Sequence, residues 1–191
     1  MRLRPLLLLS LAACAFLVVL NDRSSAQGGA ATASDDEAAR IRIGFQVAPV
    51  PLSLTDKDPN LVGLGSYIVN TRISCNDCHT NPPWVPGHNP HLGGKPAEVN
   101  AAAYLAGGNL FAGGQIVSRN ITPDSHGLPA GLTFAQFVHT LRTGIDPDDP
   151  SSLLQIMPWP YFRTMSDHDL AAVYEYLRAI PSLPSAPGTP P

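Results

Sequence analysis

Cys75-Asn76-Asp77-Cys78-His79 is the stretch on which the reading of this chain turns. Two thiols separated by two residues can each add to one vinyl group of a haem. The histidine that follows then sits beneath the ring, where its imidazole can bind the iron from one face. Two other uses of such spacing compete. A zinc site needs four ligands, and neither a second Cys pair nor a His-x-x-x-His follows to supply them. A thioredoxin-like redox pair needs a β-strand leading into the box, whereas a helical pattern leads into it here. The expectation is covalent haem attachment through Cys75 and Cys78, with His79 as an iron ligand.

Composition sets the frame around the box. With 191 residues the chain is long enough for one domain with a real core and too short for two large ones. Proline (20) and glycine (16) outnumber the aromatic residues, so much of the chain should be loop. The formal net charge is −3, which offers no basic field for nucleic acid or anionic lipid. Of the three cysteines one is Cys14. Once a haem takes the other two, no thiol remains for a structural disulfide.

Outward from the box, residues 1–26 read as an export signal: Arg2 and Arg4 form a basic start, Leu6 to Leu20 an apolar run, and Ser24-Ser25-Ala26 a small-residue cleavage site. The run is short for a spanning helix, which needs ~20 residues. Leu11-Ala12-Ala13-Cys14 also resembles a lipobox, which would make Cys14 a lipidated N-terminus, although the apolar run continues past it. Cleavage near Ala26, lipidation at Cys14 and an uncleaved anchor stand in that order. Residues 27–57 read as a flexible tether to about Ile41, then an extended, Pro-bearing strap.

Residues 58–180 carry the domain. Asp58 caps a helix that begins at Pro59, with Leu61, Leu64 and Ile68 on one face. Gly63 and Gly65 cost that helix about 1 kcal/mol each relative to Ala, which calls for close approach by another helix. Thr80 to Ala130 is loop-dominated, with one short helical piece over Ala97 to Leu105; a large prosthetic group would explain so long a loop. Thr133 to Gly144 reads as a capped helix, with Phe134, Phe137, Val138 and Leu141 sharing one face. A last helix starts at Ser166, carries Leu170, Val173, Tyr174 and Leu177 inward, and ends at Pro181. Residues 181–191, rich in proline, should be disordered.

Together the box and these helices resemble a class I-type monohaem cytochrome c. Ser118-Arg119-Asn120-Ile121-Thr122-Pro123-Asp124, the Phe134–Gly144 helix, and Met157-Pro158-Trp159 through the Tyr174-Glu175-Tyr176-Leu177-Arg178 helix are similar to the cytochromes serving bacterial alcohol and sugar-acid dehydrogenases. Those subunits commonly carry several haem boxes, whereas this sequence has one. The resemblance implies an all-α cytochrome c fold of three to five helices around a covalent haem c and its iron, with a long loop-rich insertion. It implies that the first and last helices cross closely, Gly63 or Gly65 meeting Tyr174 or Leu177. It also implies export to the periplasm, where haem is attached.

The resemblance further implies a sixth iron ligand, Met157, held on a rigid loop by Pro158-Trp159-Pro160, while Met165 reads as an apolar staple ahead of the last helix. His88 and His91 stand as alternative ligands; His126, His139 and His168 read as surface residues. Pro90 and Leu92 fall in a segment whose proline carbonyl would accept the second ring proton of His79. Arg119 and Asn120 are candidates for the haem propionates, and Trp84, Trp159 and Tyr161 for the pocket wall.

The function expected is single-electron transfer between redox partner proteins, a dehydrogenase among them, with no catalytic residues of its own. A pentacoordinate haem that binds a small gas or turns over peroxide is the alternative from another class. A subunit permanently docked on a dehydrogenase is a third reading.

Overall fold

The computed structural model describes residues 33–186 and Thr189. The expected export signal, Cys14 and the end of the proline-rich tail lie outside them. Six helices follow in order: α1 (Ala33–Val47), α2 (Pro59–Thr71), α3 (Cys75–His79), α4 (Phe134–Thr143), α5 (Trp159–Phe162) and α6 (Asp167–Ala179). A two-stranded hairpin, β1 (Leu110–Phe111) with β2 (Ile116–Val117), breaks the long loop between α3 and α4.

Helix α2 is the middle of the structure. The Asp58 side chain accepts from the Asn60 amide at 2.8 Å, and Pro59 occupies the first turn, where its missing N–H costs nothing. Val62, Leu64, Ile68 and Val69 are buried. Each of its two glycines serves a different neighbour. A Cβ on Gly65 would fall 1.9 Å from the Ala172 carbonyl oxygen and 2.7 Å from Tyr176 Cβ, so α6 crosses against bare backbone. The expected partner was Tyr174 or Leu177. Tyr174 instead turns toward α4, donating its hydroxyl to the Leu132 carbonyl at 2.9 Å and tilting against Phe134 and Phe137.

Gly63 faces α1, where the reading of residues 33–41 as part of a tether does not hold; residues 27–32 lie outside the described residues. Gly44 is buried and Glu37, Ala39, Arg40 and Ile41 are half-buried, so one side of the helix is covered. A Cβ on Gly44 would lie 1.8 Å from the Gly63 carbonyl oxygen. The acids that made the stretch look like a linker, Asp35 and Asp36, occupy the first turn of the helix, where they complement its dipole. The strap is confined to residues 48–58, with a turn at residues 55–56, and it is anchored where Ser53 N–H donates to the Ala179 carbonyl at 2.8 Å.

A buried polar cluster locks these layers together. Ser66 of α2 donates its hydroxyl to the Gly44 carbonyl of α1 at 2.7 Å. Asn70, one turn on, donates to the Tyr176 hydroxyl of α6 at 3.1 Å and accepts from the Tyr104 hydroxyl at 2.6 Å. The two phenols are 3.0 Å apart. Four chain segments thus share one satisfied network, which is what permits polar groups in a core.

Helices α4 and α6 start and stop as expected. Thr133 and Gln136 form a reciprocal capping box, Gly144 ends α4 at φ +72°, and Ser166 caps α6 through the Asp169 amide. Two expectations fail. Residues 97–105 hold only a 3-10 turn, Ala101–Ala103, because the preceding backbone pairs elsewhere: Val85 N–H donates to the Glu98 carbonyl and Asn100 N–H to that of Pro83. Residues 181–186 are not free. Leu183 donates its N–H to the Thr122 hydroxyl at 3.1 Å, and its carbonyl accepts from Asn120 Nδ2 at 2.9 Å. A proline-rich strand is already extended, so docking it costs little conformational entropy.

Candidate functional site

The Cys-x-x-Cys-His box folds as the single turn α3, entered through Ser74 in the left-handed region at φ 48°. Helical spacing puts positions 75, 78 and 79 on one face. All three side chains line a cavity of about 250 Å³ whose wall is completed by the hairpin, α4, α6 and the segment leading to α5. Ile121, Leu132, Phe137, Leu141, Val173 and Leu177 make that wall apolar. Met157 and Met165 both belong to it.

His79 is oriented by backbone. Its Nδ1 lies 2.7 Å from the Arg119 carbonyl oxygen. A carbonyl can only accept, so Nδ1 carries the proton and Nε2 keeps its lone pair, the form in which imidazole binds a metal. Burial lowers the affinity of the ring for a second proton, opposed by the Arg119 carbonyl. The partner was expected to be Pro90. Pro90 instead starts the exposed turn Pro90–Leu92, which Asn89 caps, and Leu92 is 83% exposed. Neither residue lines the cavity.

The neighbour that makes the His79–Arg119 contact possible is Gly107. Its N–H donates to the His79 carbonyl at 2.7 Å. It adopts φ +77°, and a Cβ there would lie 2.5 Å from the Ser118 carbonyl oxygen and 2.7 Å from the Arg119 carbonyl carbon. Only glycine leaves room for residues 118–120 to pass this close. Asn109 holds the end of α3, donating from Nδ2 to the Cys78 and Thr80 carbonyls at 2.8 and 2.7 Å. Gly107 and Asn109 fall in the loop-dominated stretch from Thr80 to Ala130, where no periodic pattern marks either residue.

Both thiols are shifted away from the range of a reactive pair. Burial, and then the neighbouring Cys78, push the Cys75 thiol up to about 12, and burial raises Cys78 as well. A reactive Cys-x-x-Cys cysteine is shifted in the opposite direction. Among the described residues no group of three or more His, Cys, Asp or Glu comes together to complete a cation site. Two protonated thiols and a neutral imidazole on one face of a turn, in an apolar cavity with two thioethers in its wall, suit a covalently attached haem.

The remaining candidates divide. Arg119 lines the cavity and forms a two-toothed ion pair with Asp148, Nη2 to Oδ1 at 2.9 Å and a second, shorter contact from Nη1 to Oδ2. Asn120 does not reach the cavity; its amide holds Leu183, and its oxygen accepts from the Thr122 amide at 2.9 Å. Trp159 is also outside, its ring lying over Gly144, where a Cβ would meet it at 2.2 Å. Trp84 bridges to Val99, and Tyr161 is 79% exposed. His88 contacts the Pro96 carbonyl and Glu98, and His91 is exposed; neither lines the cavity.

This cavity and its box form a candidate haem-attachment site on a mostly helical fold. No family model matches the chain. It is 30% identical over 146 residues, 72% of its own length, to the cytochrome c subunit of a quinone alcohol dehydrogenase from Gluconacetobacter polyoxogenes, of which those residues are 27%. It is 34% identical over 123 residues to the corresponding subunit from Gluconobacter oxydans, 63% of this chain and 22% of the relative. It is 32% identical over 117 residues to the fructose dehydrogenase cytochrome subunit of Gluconobacter japonicus, 61% of this chain and 20% of the relative. The chain thus spans about a fifth to a quarter of the length of these relatives. The chain is similar to such cytochrome c subunits, a class that implies covalently bound haem c with its iron.

Proposed function

We propose that the protein is a periplasmic monohaem electron carrier in which Cys75 and Cys78 hold the haem, and His79 and Met157 bind its iron. The observation that carries this reading is the His79–Arg119 contact at 2.7 Å, which leaves Nε2 free beside two cavity-facing thiols. Bound haem iron supplies a one-electron Fe(III)/Fe(II) couple. The chain's own contribution is attachment, orientation and a dry wall. The Arg119 carbonyl fixes the His79 tautomer and raises its basicity. The apolar side chains of α4 and α6 exclude water, so the charge change on iron moves few dipoles. The electron donor we propose is a dehydrogenase, supported by the three relatives above, each the cytochrome subunit of one. Among the described residues no helix is long and apolar enough to cross a membrane. An intact mass beginning at Gln27 is expected for the mature protein, and a diacylated Cys14 would replace that expectation with a lipid anchor.

Ligation is tested by spectroscopy. The oxidised protein should show the red-region band of Met–Fe(III) ligation, and its ferrous form should bind carbon monoxide poorly near neutral pH. Met157→Ala should lose the band, bind carbon monoxide and lower the reduction potential, because a soft thioether favours ferrous iron. Met165→Leu should change little. Rapid carbon monoxide binding by the unmutated protein, unchanged in Met157→Ala, would put gas binding or peroxide turnover in place of electron transfer.

A further inference from the structure

Arg119 does two things at once. Its carbonyl orients His79, and its guanidinium grips Asp148. Asp148 belongs to the loop that runs from the end of α4 to Met157. That loop is closed on itself: Leu154 N–H donates to the Gly144 carbonyl at 2.8 Å, Asp146 N–H to the Ser152 carbonyl at 3.1 Å, and Ile145 bridges to Leu153. The far leg continues through Leu154, Gln155 and Ile156 into Met157, whose carbonyl accepts from the Trp159 amide at 2.8 Å. A force on Asp148 is therefore passed to Met157 by a short, internally bonded stretch.

We propose that Asp148 is a positioning residue: with Arg119 it forms a clasp across the cavity rim that holds the Met157 segment against the haem site. The proposal rests on Met157 being the sixth ligand. The pair has the features that make an ion pair count. It is bidentate, the Arg119 side chain is only 20% exposed, and both residues line the cavity. It also joins the segment that orients His79 to the loop that carries Met157. Opening it would leave the His79 contact in place, since that contact uses backbone, and would loosen the Met157 side alone.

The test uses the haem-loaded ferric protein and imidazole, which competes for the sixth position. Asp148→Asn keeps the shape of the side chain and removes its charge. It should retain covalent haem and the red-region band but bind imidazole roughly fivefold more tightly, the scale of losing one partly exposed ion pair. Asp148→Glu should restore most of the wild-type affinity, whereas Glu175→Gln, which breaks the unrelated pair with Arg178, should have no effect. In a Met157→Ala background Asp148→Asn should no longer matter, because the clasp acts through Met157. Equal imidazole affinity in wild type and Asp148→Asn overturns the clasp, as does the same gain persisting without Met157. Absence of the red-region band from the wild type is a separate failure, that of Met157 ligation itself, and it takes the clasp with it.

Discussion

The backbone N–H of Gly107 donates to the carbonyl of His79 at 2.7 Å, while the space beside Gly107 admits the strand whose Arg119 carbonyl meets the His79 ring. One residue without a side chain therefore governs both the main chain and the imidazole of the candidate proximal ligand.

Gly107→Ala would force a Cβ to within 2.5 Å of the Ser118 carbonyl oxygen and strain a backbone at φ +77°. We expect a loss of about 1–3 kcal/mol in unfolding free energy. We also expect a higher reduction potential, because displacing the Arg119 carbonyl makes His79 a weaker base and ferric iron less favoured. Redox titration checks the second effect, and a potential equal to wild type would falsify the orienting role given to Arg119.

The crossing of α2 and α6 makes a simpler prediction. Gly65→Ala places a methyl 1.9 Å from the Ala172 carbonyl oxygen, which rigid backbone cannot vacate cheaply. The expected cost is about 3 kcal/mol, at the upper end for overpacking, read as a lower urea midpoint. Met165→Leu, a change of similar size outside that crossing, should cost less than about 1.5 kcal/mol.

Tyr104 gives a dependence on pH. Burial, and then the proximity of Tyr176, hold its phenol well above the ordinary value. In the unfolded chain the phenol ionises near pH ~10, so the unfolded state gains from losing the proton before the folded state does. Its contribution is complete below about pH 10 and is lost as pH rises beyond it. Tyr104→Phe should lower stability by about 1–2 kcal/mol at pH 7, since Asn70 loses a buried partner. The gap between variant and wild type should narrow above about pH 10, measured as urea midpoints across that range.

Attachment is the last prediction. Two thioether bonds need both thiols, so Cys75→Ala and Cys78→Ala should each leave one link at most. Haem should resist acid–acetone extraction from the wild-type protein; its release there would remove the basis for reading residues 75–79 as an attachment box.

What was legible in the sequence follows from which signals are local. The caps at Asp58, Thr133 and Ser166 and the stop at Gly144 are short-range chemistry, and the structure places each where the residues indicate. That α2 needed close partners followed from its two glycines. Which partners did not, because a crossing is decided by side chains far apart in sequence, and Tyr176 rather than Tyr174 faces Gly65. Helix α1 was hidden because an acidic, small-residue start looks alike in a linker and in a first turn. At the site, side chains were easier to foresee than main chain. Carbonyls carry no sequence signature, so the acceptor at His79 was sought at Pro90 and lies at Arg119. Trp159 and Asn120 were near the right segments, yet each side chain is committed elsewhere.

The Ser66–Gly44 bond also bears on how the chain can be shortened. The domain boundary suggested by composition, residue 58, would cut away α1. Ser66 would then lose its Gly44 acceptor, and the strip of α2 around Gly63 would open to water. A stable unit therefore needs the contacts of α1 as well as those of α2, and a trimmed version starting at residue 58 would be soft on the face that α1 covers.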